Sequence, residues 1–213
     1  MRDKIIIYGA GGHAACLTDI VQREGRYDII GLLDDSKPAG TRVWEYPILG
    51  GEQQLPSLYA RGVRLGLVAI GNNHIRKEKT ALMHRQGLTL VSIRHPFSSI
   101  GGNVLLQEGS SVFHGAVVDP CVQIGQGVII NKQALIGHEA VIGDFVHIGP
   151  GVNCGSGVRV GSRTLIGIGA TILPRVIVGK DVLIGAGSVV IRDVPDGITV
   201  VGTPASAIKN STS

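Results

Sequence analysis

Residues 124–149 read IGQGVI INKQAL IGHEAV IGDFVH IG, four complete hexads that each begin with Ile. On both sides the pattern continues: every sixth residue from Ile100 to Val190 is aliphatic, with Cys154 the single exception. Four residues into each hexad runs a second row that is small or β-branched, from Val104 and Ser110 through Ala134 and Ala140 to Val182 and Ser188. Gly follows the aliphatic residue in most hexads, as at Gly125, Gly137, Gly143 and Gly161. A period of six matches neither the helical repeat nor the alternation of a strand. It predicts a parallel β-helix of hexapeptide repeats, in which each coil buries its faces only by stacking on the next. The recurring glycines are expected at the corners, where the backbone has to turn. Three hexads per coil predict roughly five coils, a prism on the order of 25 Å tall at the spacing of paired strands. Flat faces rich in Val and Ile invite side-by-side packing, and a closed threefold homo-oligomer satisfies them.

The residues before this repeat have a different grammar. Lys4-Ile5-Ile6-Ile7-Tyr8 reads as a buried strand, followed by Gly9-Ala10-Gly11-Gly12-His13-Ala14 and an amphipathic stretch from about His13 to Arg23. A second strand, residues 28–33, ends in Asp34-Asp35, and a polar connection containing Pro and Gly leads through Trp44 and Pro47 to Leu49. A third strand over 65–70 closes on Gly71-Asn72-Asn73, a charged helix covers about 75–86, and a last strand spans 88–93. Strands alternating with helices predict a small doubly wound parallel sheet. Two domains are therefore expected, residues 1–96 as a Rossmann-like α/β unit and residues 97–213 as the β-helix with its C-terminal tail.

Composition narrows the function. Glycine is abundant at 32 residues and aromatics make up only 4%, as a narrow coil interior requires. The formal net charge is +4, but Lys and Arg are scattered, so no nucleic-acid-binding stripe is indicated. Cys16, Cys121 and Cys154 have neither disulfide nor metal spacing. The first apolar run is too short for a signal peptide, and no segment approaches the ~20 apolar residues that span a membrane. A cytoplasmic protein is expected.

Two places carry candidate chemistry. Glycines between a strand and a helix let backbone N–H groups approach a phosphate at the helix N-terminus. Gly11, Gly12 and His13 are so placed, Asp34 and Asp35 lie one strand later where an acid can hold a hydroxyl or a base edge, and Gly71 closes the third strand on the same side. The bland alternative is a structural turn. The second place is His138-Glu139, with His147 nine residues on. A carboxylate next to an imidazole favours its charged form and fixes its tautomer, which suits a general base near neutral pH. The rival is a solvated corner residue. His114, His138 and His147 make a poor metal set, lacking a completing carboxylate or Cys, and no metal is expected.

Taken together these motifs resemble the sugar-nucleotide acetyltransferase family of the PglD, PerB and NeuD type. The resemblance covers essentially the whole chain and is carried by Tyr8–His13, Leu33-Asp34-Asp35, Gly71–Lys77, Ile136–Glu139, Asp144–His147 and Val201–Ala205. It implies a left-handed β-helix, a homotrimer, acetyl-CoA as co-substrate and a nucleotide-linked amino sugar as acceptor. By position, His138 would be the general base and Glu139 the residue that raises its basicity. His147 would contact the thioester region, with Ile168 and Ala186 lining a pantetheine groove between subunits. Gly11, Gly12, His13, Asp34, Asp35 and Gly71 would form the nucleotide-sugar site. Ser156 stands where some relatives have Gly at a backbone N–H facing the thioester, and Ser206 where a basic residue is common. The implied reaction is N-acetylation of a 4-amino-4,6-dideoxy sugar, UDP-linked in preference, with GDP or dTDP open. O-acetylation of a sialic acid and a non-catalytic β-helix scaffold are the alternatives.

Overall fold

The computed structural model describes residues 2–208, in two compact units divided between Pro96 and Phe97. The first contains β1 (Asp3–Tyr8), α1 (Gly12–Glu24), β2 (Tyr27–Leu33), β3 (Arg42–Val43), β4 (Tyr46–Gly50), α2 (Leu55–Ala60), β5 (Leu65–Val68), α3 (Asn73–Arg85) and β6 (Thr89–Leu90). Its sheet has the order β3-β4-β2-β1-β5-β6, parallel throughout apart from the β3–β4 hairpin. Ile5, Ile6 and Ile7 are fully buried, as a continuous apolar run must be when both faces of a parallel sheet are covered. Helix α1 buries Ala14, Leu17, Ile20 and Val21, and Gly25 ends it in the left-handed conformation that glycine tolerates. Helix α3 starts where the Asn72 side chain accepts from the N–H groups of His74 and Ile75.

Three sequence expectations change. The polar connection after Asp35 holds the β3–β4 hairpin, α2 follows it, and buried Ile48 pairs β4 to β2. Pro47 reads as punctuation, yet it sits beside the short edge strand β3, where a missing donor is tolerated. The third strand stops at Val68, although Ala69 N–H still reaches Tyr8 O at 2.7 Å. The last strand is interrupted, with β-structure at Thr89–Leu90 and Ile93–Arg94 only.

The second unit is the β-helix. Two-residue strands recur every six residues and pair in parallel with strands eighteen residues away, as in Ile129↔His147 and Leu135↔Asn153. Three faces result. One contains Ile129–Ile130, His147–Ile148, Leu165–Ile166 and Leu183–Ile184; the second contains Leu135–Ile136, Asn153–Cys154, Thr171–Ile172 and Val189–Val190; the third contains Gln123–Ile124, Val141–Ile142 and Arg159–Val160. The aliphatic row and the row of small residues together fill one continuous core. Where that second row is polar, the hydroxyl replaces a backbone partner. Ser110 Oγ donates to Gly125 O and accepts from Val128 N–H, and Thr164 bridges Gly179 O and Val182 N–H in the same way.

The corner glycines need a correction. The left-handed position is the fourth of each hexad, and it holds Asn103, Cys121, Gln133, Glu139, Phe145, Arg163, Arg175 or Asp181 as readily as glycine. Its N–H donates to the coil before, as Arg175 does to Ser156 O at 2.9 Å, which repays the backbone strain. The glycine that follows the aliphatic residue serves close approach instead. A Cβ on Gly161 would lie 2.4 Å from Lys180 N, and one on Gly137 would lie 2.6 Å from Ser156 N.

Candidate functional site

In the first unit the chain leaves β1 toward β2 on one side and later returns to β5 on the other. Such a reversal opens a crevice at the carboxyl ends of the strands. Here it is a cleft of about 410 Å³ lined by Tyr8 to His13, Asp34 to Ser36, Ala69 to Gly71, Ile75 and Lys79. Gly11, Gly12, His13, Asp34, Asp35 and Gly71 are thus brought together. Helix α1 begins there with no side-chain cap and no acid in its first turn, a favourable end for an anion. The glycines differ in their reasons. Gly9 has φ +113°, and a Cβ on it would meet Ala69 O at 2.7 Å. A Cβ on Gly11, Gly12 or Gly71 would meet nothing within 4 Å, so packing does not demand glycine there, and the space kept open belongs to the cleft.

The two acids divide their work. Asp34 accepts from the N–H groups of Ala10, Ser36 and Lys37 and from Ser36 Oγ. Burial would raise its pKa, but these bonds hold the carboxyl below the usual range. Asp34 therefore ties the end of β2 to the glycine loop. Asp35 takes the Tyr8 hydroxyl on both oxygens at 2.7 Å, Glu52 N–H at 3.0 Å and the Lys79 ammonium at 2.9 Å. Lys79 is also paired to Glu52 at 2.9 Å and lies 5.0 Å from the Tyr8 ring centroid. Burial works to raise the Asp35 pKa, and its donors outweigh that and lower it. For Lys79 burial works to lower the value, and the two carboxylates drive it up instead. Burial and Asp35 together keep the Tyr8 hydroxyl protonated. Tyr8, Glu52 and Lys79 were not singled out from sequence. Their signal was weak, because three unrelated segments supply them.

In the second unit His138 and Glu139 occupy the corner between the second and third faces, both exposed. His138 Nδ1 lies 3.3 Å from Glu139 Oε2. A carboxylate only accepts, so this contact places the proton on Nδ1 and leaves Nε2 as the basic nitrogen. One coil further is Ser156. Gly155 N–H is committed to Ile172 O at 2.9 Å and Gly157 N–H to His138 O at 2.8 Å. His147 stands on the first face, its Nε2 3.4 Å from Asn131 Nδ2. Ile168 and Ala186 lie at the corner between the first and second faces, Ile168 63% exposed. A single chain therefore does not gather His147, Ile168 and Ala186 at the corner of His138. His114, His138 and His147 occupy three different positions around the coil, and among the described residues no group of three His, Cys, Asp or Glu side chains could hold a metal ion. Among the described residues no helix is long and apolar enough to cross a membrane.

The PglD N-terminal domain family matches residues 4–81, and the bacterial transferase hexapeptide family matches residues 157–192. Among solved structures, perosamine N-acetyltransferase (PerB) from Caulobacter crescentus, in complex with CoA and GDP-perosamine, is 33% identical. The match covers 97% of each chain with a TM-score of 0.93. The acetyltransferase domain of PglB from Neisseria gonorrhoeae, in complex with acetyl coenzyme A, is also 33% identical, covering 98% of this chain and 100% of that one at a TM-score of 0.91. WeeI from Acinetobacter baumannii is 27% identical over 96% of this chain and 99% of its own, at 0.87. Against curated proteins there was no match.

Proposed function

The chain belongs to the PglD/PerB-type sugar acetyltransferases, and we propose that it transfers the acetyl group of acetyl-CoA to the 4-amino group of a nucleotide-linked 4-amino-4,6-dideoxy sugar. The observation that carries this reading is the exposed His138–Glu139 corner of the β-helix, and the open, glycine-walled cleft of the first unit supports it. Glu139 engages Nδ1 of the imidazole, and His138 takes a proton from the amine through Nε2 as nitrogen attacks the thioester carbonyl. Ser156 N–H donates to the carbonyl oxygen as it gains charge; its neighbours Gly155 and Gly157 are already committed to the coil. Holding both substrates in place supplies much of the remaining acceleration. The diphosphate lies at the α1 terminus against Gly11, Gly12 and His13, while Asp34 and Asp35 shape the loop around it.

The enzyme works as a homotrimer. His138 and the pair Ile168 and Ala186 lie on different corners of one chain, so they border one groove only when a second copy brings its corner alongside. His147, with Asn131 beside it, faces the thioester end of that groove. For the nucleotide, the family resemblance implies UDP in preference, and likeness to the perosamine enzyme favours GDP.

A free-thiol release assay decides the reading: acetyl-CoA with UDP-, GDP- and dTDP-linked 4-amino-4,6-dideoxy sugars, and with sialic acids in parallel. Turnover on one amino sugar is expected and names the nucleotide. Turnover on sialic acid alone would move the chain to O-acetylation, and silence without acetyl-CoA binding would leave a scaffold.

A further inference from the structure

Helix α3 carries a charged side chain for which the proposed reaction has no use. Arg76 is 1% exposed, and burial pushes its pKa down to about 9. Taking a cation out of water is costly unless hydrogen bonds compensate. The compensation comes from the wall of the cleft. Nη1 donates to Ile70 O at 3.1 Å and to Gly71 O at 3.0 Å, and Nη2 donates to Asn73 Oδ1 at 2.8 Å. Ile70 and Gly71 both line the cleft. In a trans peptide the C=O and the next N–H point in opposite directions. The guanidinium thus decides which way two successive peptides of that wall are turned. Lys79, three residues along the same helix, is already bound by Asp35 and Glu52.

We propose that Arg76 is a positioning residue of the sugar-nucleotide site, holding the Ile70–Gly71 wall in the orientation that receives the nucleotide. This rests on the sugar-nucleotide reading of the cleft. A planar fork serves all three acceptors at once, whereas a lysine ammonium is a point charge on a flexible stem and cannot span them. Charge alone is therefore not enough.

The test compares wild type with Arg76→Gln, Arg76→Lys and Asn73→Ala, the last keeping the cation and removing one acceptor. Each is measured for kcat, for KM of the sugar nucleotide and of acetyl-CoA, for Tm, and for binding of GDP, UDP and dTDP by calorimetry, which needs no turnover. Sugar-nucleotide KM and nucleoside-diphosphate Kd are expected to rise together by about tenfold in Arg76→Gln. The rise is smaller in Arg76→Lys and Asn73→Ala, and acetyl-CoA KM and saturating kcat stay within about twofold in all three. Unchanged nucleotide affinity in the soluble variants, or losses spread evenly over all parameters with a lowered Tm, would overturn the positioning role. Should the arginine variants not fold, Asn73→Ala alone decides it. Wild type that binds none of GDP, UDP and dTDP would sink the sugar-nucleotide reading itself.

Discussion

Two sets of glycines, one from each unit, do opposite work. In the β-helix, Gly137 and Gly161 are fixed by exclusion, because a Cβ would drive into the backbone of the next coil. In the α/β unit, Gly11, Gly12 and Gly71 have open space where a Cβ would be. One kind of glycine is required by the fold and the other is left free by it. The lesson extends to side chains. In a repeat, a residue is informative where it departs from its column: His138 shares a corner column with Pro120, Ser156 and Pro174. Without a repeat, a residue is informative where packing supplies no reason for it.

The largest expected effect tests the departure from the column. His138→Ala should reduce turnover by about 10³-fold while leaving Tm and acetyl-CoA binding close to wild type, because the side chain is exposed and outside the core. Steady-state kinetics beside a thermal melt would check this. Retained turnover would make His138 an ordinary corner residue. Next come the two glycines set against each other. Gly161→Ala should cost about 3 kcal/mol from forced overpacking, seen as a lowered Tm of the β-helix transition. Gly12→Ala should leave Tm alone and weaken nucleotide-sugar binding by about tenfold. A stable Gly161→Ala, or a Gly12→Ala defective in folding and not in binding, would erase the distinction.

The same contrast explains what could be read in advance. The β-helix was legible because one rule is repeated at every hexad, so errors at single residues cancel. Its glycines were nonetheless misplaced, since steric exclusion by the next coil and a left-handed corner leave the same letter in the sequence. His138-Glu139 was visible because the partners are adjacent in the chain. The glycine loop was visible from its place between strand and helix. The charge network beside the cleft was not: Tyr8, Glu52 and Lys79 come from three separate segments, and nothing in their spacing announces that they meet. The hairpin at Arg42–Gly50 was hidden by its own Pro and Gly, which mark turns and edge strands alike.

Acid should weaken the α/β unit ahead of the β-helix. Asp34 and Asp35 have depressed values in the folded chain, so their contribution is present above the unfolded carboxylate range, near pH ~4, and is lost as pH falls through the folded values. The Lys79 value is raised, so its contribution is present below about pH 10 and is lost only as pH rises through the folded value. Acidification below about pH 4 should therefore melt the α/β unit ahead of the β-helix, whose core contains no carboxylate. Calorimetry of the whole chain would show the first transition moving and the second holding. A single transition moving as one would mean that the two units do not unfold separately.

The smallest effect lies at Cys154, the one interruption of the aliphatic row. It is fully buried, and burial pushes its thiol up to about 12. The neutral thiol is what the core accepts, so its contribution is complete below the unfolded value near pH ~8.5 and drains away as pH rises toward the folded one. Cys154→Val restores the row with a branched side chain of similar size, and at neutral pH should change stability by no more than about 0.5 kcal/mol. Its gain should grow on the alkaline side, where wild type carries the thiolate penalty and the variant does not. Comparing the two proteins cancels the surface lysines and tyrosines that titrate in both. Cys154→Ser carries a hydroxyl into the same position and should lose about 1–3 kcal/mol at every pH. If Val and Ser behaved alike, the row would not be selecting apolar residues, and the repeat that defines the β-helix would have to be explained by something other than burial.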